Sequence, residues 1–302
     1  MTTHMDLWPE LEYTQFKSTG YLLHRIVQII GKLKLNTPFE PHWSNVPLWL
    51  TARGLTSGLI AYQSGVFCVE LDMLDHKIIV TTSWGKMKNF AIDSMSVAEF
   101  THQFFSLLEQ LHINLNINLM PQEIQNPIPF NQDTASRHYD KTLANAWWRI
   151  LLNTYCVLQK YHSHFSGINP PIGLMWGTFD LRDARYNGKR VPTTGDNAGY
   201  IRRNAMDEAQ VEAGFWPGNE MYEKPAYFSF IYPAPDRIEL SQIKPAKARW
   251  DAKLMEFVLD YDDVRTSSHP EKDLLAFFES SYKVESELAG WNHEYIRKGE
   301  PV

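Results

Sequence analysis

Short turns between strand-like runs limit this chain's fold more than any other feature. VFCVELDM (66–73) and DHKIIVTTSW (75–84) are separated only by a turn around Leu74, Asp75 and His76. Runs that close cannot be joined by the crossover that parallel pairing demands, so they pair antiparallel. In the first run Phe67, Val69 and Leu71 alternate with the residues between them, the period of a half-buried strand. KMKNFAI (86–92) follows Gly85 as a weaker strand, and VPLWLTARGL (46–55) precedes as a mixed apolar run.

Helical periods bracket these runs. From about 11 to 35, Leu22, Leu23, Ile26, Ile29, Ile30 and Leu33 recur at spacings of three and four until Pro38 and Pro41 end the pattern. After the strands, Ser96 and Glu99 form a capping-box signature ahead of a helix with Phe100, Phe104, Leu107, Leu108 and Leu111 on one face. Pro121, Pro127 and Pro129 then mark a linker over 121–139. Beyond it the order recurs. Asp140 caps a helix running to about Phe165, and IGLMWGTFDL (172–181) stands where VPLWLTARGL stood. A long polar loop insertion covers about 183–224. AYFSFIYP (226–233), RIELSQI, AKARW and LMEFVLDY supply strand candidates, and a helix covers 271–290. The expected fold is α+β, with two similar helix–antiparallel sheet–helix halves, pseudo-duplicated, over 1–120 and 140–302. Such halves can join edges into one sheet or pack face to face.

Charge narrows the partners. A formal net charge of −6 and a pI near 6.0 argue against nucleic acid or an anionic membrane surface. The opening MTTHMDLWPELEY has neither the basic segment nor the apolar run of a signal peptide, and no stretch approaches the roughly 20 apolar residues of a membrane span. A cytoplasmic protein is the expectation. The two cysteines, Cys68 and Cys156, read as buried free thiols. Ten Trp, 14 Tyr and 16 Phe imply either a large aromatic core or an aromatic-lined cleft.

HExxH, CxxC, GxxxxGK[ST], GxGxxG and GxSxG are all absent, so neither a metal site nor a cofactor is expected. His162 and His164, two apart on a helix, point about 200° apart and cannot share a metal. Chemistry concentrates in WGTFDLRDARYNGKR (176–190) and EAGFWPGNE (212–220). The candidate ligand-binding residues are Trp176, Asp180, Arg185, Trp216 and Glu220, with His42, Trp43 and Arg53 in matching places around the first strand. Arg185 can grip a carboxylate or phosphate in bidentate fashion, Trp176 and Trp216 can form stacking walls, and Asp180 with Glu212 or Glu220 offers an acid/base pair. The expectation is a small polar-metabolite binding protein or enzyme with an Arg/Asp/Trp-lined pocket. The alternatives are a non-catalytic interaction or scaffold protein and a metal-dependent hydrolase.

At HWSNVPLWLTARGLTSG (42–58), MWGTFDLRDARYNGKRVP (175–192) and EAGFWPG (212–218) the chain resembles an uncharacterised bacterial family, domain of unknown function 5996. The resemblance runs from LWPEL (7–11) to LAGWN (288–292). It implies no activity. Where such proteins often carry His and an aromatic before WGxFDL, this chain has Gly173 and Leu174, so no role for such a His transfers.

Overall fold

The structure is a computed structural model, which describes residues 8–192, 199–292 and 295–297. Its local starts follow the capping residues. The Ser96 hydroxyl accepts from Glu99 N at 3.1 Å and the Glu99 carboxylate accepts from Ser96 N at 2.7 Å, which opens helix α2 (Val97–Gln110). Asp140 accepts from the backbone of Thr142 and Leu143 and opens α3 (Lys141–Ser163). Ser96→Ala removes the hydroxyl half of the capping box and leaves Glu99 N without its acceptor. It is expected to cost about 1 kcal/mol, read as a shift of the urea midpoint at unchanged slope.

Four long helices, α1 (Tyr13–Leu33), α2, α3 and α6 (Pro270–Leu288), pack in the spatial series α2–α1–α3–α6, and one apolar cluster joins them to the strands. In the first half β1 (Trp49–Thr51), β2 (Gly54–Thr56), β3 (Ile60–Tyr62), β4 (Gly65–Asp72), β5 (Lys77–Thr82) and β6 (Met87–Ala91) form an antiparallel sheet. Its order is β1-β2-β4-β5-β6, with β3 also on β4. In the second half β7 (Gly173–Met175), β8 (Asp180–Arg190), β9 (Glu208–Trp216), β10 (Ala226–Tyr232), β11 (Arg249–Asp251) and β12 (Glu256–Asp260) form another, ordered β7-β8-β9-β10-β12-β11. The protein is therefore α+β, and each half opens and closes on a long helix around six strands, with a short helix between β8 and β9 and another, α5 (Tyr261–Arg265), after β12 in the second. The strand orders of the halves differ. The sheets meet edge to edge at one antiparallel bridge, where Leu48 and Leu174 exchange backbone hydrogen bonds of 3.0 and 2.8 Å.

Several expectations need correction. The insertion at 183–224 holds most of β8 and all of β9. β8 and β9 are the two longest strands, and short helix α4 (Tyr200–Ala205) lies between them, with 193–198 outside the described residues. RIELSQI holds a 3₁₀ turn (Ile238–Leu240), not a strand, because Pro233 and Pro235 precede it and Arg237 takes a φ of 66°. The segment 121–139 is packed into the body. Phe130 is fully buried, Gln122 N donates to Gln28 on α1, and the Tyr21 hydroxyl donates to Asp133 at 2.6 Å. Cys156 is exposed and Cys68 half-buried, because Cys156 lies on the outer side of α3.

Candidate functional site

Strand alternation divides β8–β12 into two chemistries. One face turns to α3 and α6. It carries Leu181, Val211, Ala213, Phe215, Tyr227 and Phe257, all within the apolar cluster. The opposite face carries Asp180, Arg182, Glu212, Trp216, Phe228, Phe230, Tyr232 and Glu256, and these line a cavity of about 830 Å³. Register sets the floor in rows. Arg182 lies opposite Gly214, which lies opposite Phe228. Two residues along, Ala184, Glu212 and Phe230 form the next row. The walls are loops. Met175 comes from the end of β7 and Thr178 from the β7–β8 link, Ile201, Ala205 and Met206 from α4 and the residue after it, and Asn219 and Met221 from the β9–β10 link. Lys253 and Leu254 come from the β11–β12 link, and Glu123 enters from the packed segment after α2.

Among the described residues four carboxyl groups and one guanidinium share this space, and burial dominates the electrostatics of Asp180, Glu212 and Glu256. Asp180, 7% exposed, is pushed up to about 7 by burial, with the nearby Glu212 charge adding to the effect. Glu256 is pushed up to about 8 by burial and by the charges of Asp180 and Glu212. Burial raises Glu212 as well, with the Arg182 charge offsetting part of the rise, while Glu123 stands exposed at the rim of the cavity. Arg182 stays charged, because Glu212, Tyr186 and Asp180 hold its proton against the burial that opposes it. Its Nη1 stands 3.6 Å from Glu212 Oε1, an ion pair longer than a hydrogen bond.

The residues expected from sequence scatter around this cavity. Asp180 and Trp216 line it. Glu220 is exposed and borders a separate hollow of about 80 Å³ with Tyr13, Tyr21, His24 and Arg25, and Asn219 lines both spaces. Trp176 is 3% exposed and donates its indole N–H to Val46 O at 3.0 Å, so it is a packed plug and no stacking wall. It fits only because position 31 is glycine, where an added Cβ would fall 2.2 Å from the indole. Trp43 packs edge-on against Trp176 and Tyr200, which holds α4 over the cavity. His42 lies on the Tyr186 ring and pairs with Glu208 at 3.0 Å. Arg53 belongs to the first sheet, where it binds Asp72 and Asp75 at the hairpin turn.

Arg185 is the largest correction. Alternation puts it on the helix face with Asp183, away from the cavity. Its guanidinium lies 3.5 Å from the Tyr161 ring centre and 4.3 Å from that of Tyr282, and it donates to Tyr161 O. Asp183 is taken up there by His162, at 2.5 Å. Glu123, Glu256, Phe228, Phe230 and Tyr232 went unselected in the sequence. The one signal for them was the alternation of AYFSFIYP, which puts Phe228, Phe230 and Tyr232 on a common face. Among the described residues no three His, Cys, Asp or Glu side chains converge so as to hold a metal ion. Among them, too, no helix is long and apolar enough to cross a membrane.

Fold and cavity together define an α+β protein with a carboxyl-lined pocket on the face of an antiparallel sheet that is turned away from α3 and α6. The chain belongs to the family of unknown function DUF5996, whose match spans residues 8–298. Searches of curated proteins and of solved structures return no match.

Proposed function

We propose that the chain binds a small polar metabolite bearing a positive charge, in the cavity on the β8–β12 sheet. One observation carries this reading. Asp180, Glu212, Glu256 and Glu123 converge on an aromatic-floored cavity, with one arginine among them in the described residues. Buried carboxyls crowded in this way hold protons near neutral pH, and a bound cation replaces those protons. Trp216, Phe228, Phe230 and Tyr232 supply the faces that attract an ammonium or guanidinium. Lys253, from the β11–β12 link, sits exposed on the cavity wall. A carboxyl poised near 7, as Asp180 is, can also exchange a proton with such a ligand, which is the enzymatic form of the same reading. A docking surface would call for an exposed apolar patch. Here Trp43, Trp147 and Trp176 are buried and the exposed chemistry is concave, which favours the pocket.

Binding of a cation is expected to release protons. Affinity for agmatine, used as a probe, should rise about tenfold per pH unit for each proton released between pH 6 and 8. Titration calorimetry at both pH values, in two buffers of different ionisation enthalpy, measures the constant and the proton count. An agmatine affinity that is absent or flat with pH would sink the proposal.

A further inference from the structure

We infer that the pocket's natural ligand is a zwitterion of the amino-acid kind, its carboxylate on Arg182 and its ammonium among the carboxyls of Asp180 and Glu256. This rests on the cation-pocket reading and adds the second charge. The observation is Arg182 itself. The side chain is 6% exposed and lines the cavity. A guanidinium carries five N–H donors in a planar fork. Its nearest carboxylate oxygen, on Glu212, stands at 3.6 Å, beyond hydrogen-bonding reach. The Tyr186 hydroxyl is its other neighbour, and one hydroxyl cannot occupy five donors. Buried guanidinium donors in folded proteins are satisfied, and here the open side is the cavity.

The floor leaves room on that side. Arg182 pairs across the sheet with Gly214, which carries no side chain, and Phe228 follows in the same row. A ligand carboxylate can therefore meet the guanidinium fork above Gly214 with the Phe228 ring beside it, in the bidentate geometry arginine favours. Asp180 lies two residues before Arg182 on the same face of β8, about 7 Å away by strand rise, and its charge acts on Glu256. An α-amino acid has its two charges two bonds apart, and each reaches roughly 2.8 Å to a partner. A span of this size matches the interval from Arg182 to Asp180. The aromatic residues and the methionine wall then take the ligand's side chain.

The test compares matched pairs: L-arginine with agmatine, L-lysine with cadaverine, and L-phenylalanine with phenethylamine, each titrated into the full chain at pH 8. The inference expects at least one amino acid to bind tenfold or more tighter than its amine. R182Q should bring that ratio to about one. E212Q, which frees Arg182 from its nearest carboxylate while keeping side-chain volume, should widen it, and this variant decides the matter if R182Q does not fold. Amines binding as well as or better than their amino acids, or an E212Q ratio no wider than wild type, would overturn the zwitterion and leave the cation pocket standing. Failure of every amine and every amino acid to bind would overturn both.

Discussion

Arg185→Ala is expected to destabilise the protein by about 3–5 kcal/mol while leaving ligand affinity of the folded protein unchanged. The side chain is 2% exposed and stands against the rings of Tyr161 and Tyr282, with Phe165 at 5.2 Å. Truncation opens a cavity between α3, α6 and the sheet, takes from Tyr161 O the donor it has besides His164 N, and removes the cation from three aromatic faces. Asp183 would remain buried beside it with His162 as its hydrogen-bond partner. Urea unfolding measures the loss, and agmatine titration of the folded variant measures the affinity. A variant of full stability with weakened binding would contradict the placement of Arg185 on the helix face.

The second large effect is on the pH dependence of stability. Asp180 is raised to about 7, and Glu256 and Glu285 to about 8, in each case first by burial. An acid whose folded pKa is raised holds its proton in the native state after the unfolded chain has lost it. The native state then binds more protons between about pH 4 and 8, and stability falls as pH climbs through that window. His24, pushed down to about 3 by burial, opposes this only below its ordinary value of 6.5. Lys32 and Lys34, lowered to about 8 by burial, shed their penalty above pH 8. The interval from pH 6.5 to 8 therefore isolates the carboxyls. Unfolding free energy should drop there by several kcal/mol, since each carboxyl that stays protonated only in the folded chain contributes on the order of 1.4 kcal/mol for every pH unit crossed. Asp180→Asn should flatten part of the drop, because the amide occupies the same space without ionising. Urea titrations of both proteins at the two pH values decide it. A wild-type stability that is level or rising from 6.5 to 8 would refute the account.

Much of the frame was legible because it is written in local periods. The amphipathic spacing of α1, α3 and α6, the cap residues Ser96 and Asp140, and the hairpin from β4 to β5 each depend on residues within a few positions of one another. The site was legible only in part. Asp180 and Trp216 could be picked out because acid and tryptophan side chains cluster around the WGTFDL and EAGFWPG runs. Glu123 and Glu256 could not, because they lie far from those runs in sequence and meet them only across the sheet and the packed segment.

The failure at 183–224 has a definite cause. DLRDARY reads as a polar loop because charged residues occur at both parities, whereas a half-buried strand is recognised by polar residues at one parity only. Both faces of β8 are in fact buried over Asp180–Tyr186, and each face gathers its own charges. Asp183 meets His162, and Arg185 meets aromatic rings on the helix side, while Arg182 and Asp180 meet the carboxyl cluster on the other. The sequence alone determined the α+β class, the antiparallel pairing of the first hairpin and the order helix–strands–helix in each half, since these follow from short-range periodicity and turn length. Tertiary structure alone decided that Arg182 and Arg185, three residues apart, serve opposite faces, one open to a cavity and one sealed under two helices. That outcome depends on cross-strand register and on which face the helices cover, and neither is encoded within the reach of a local pattern.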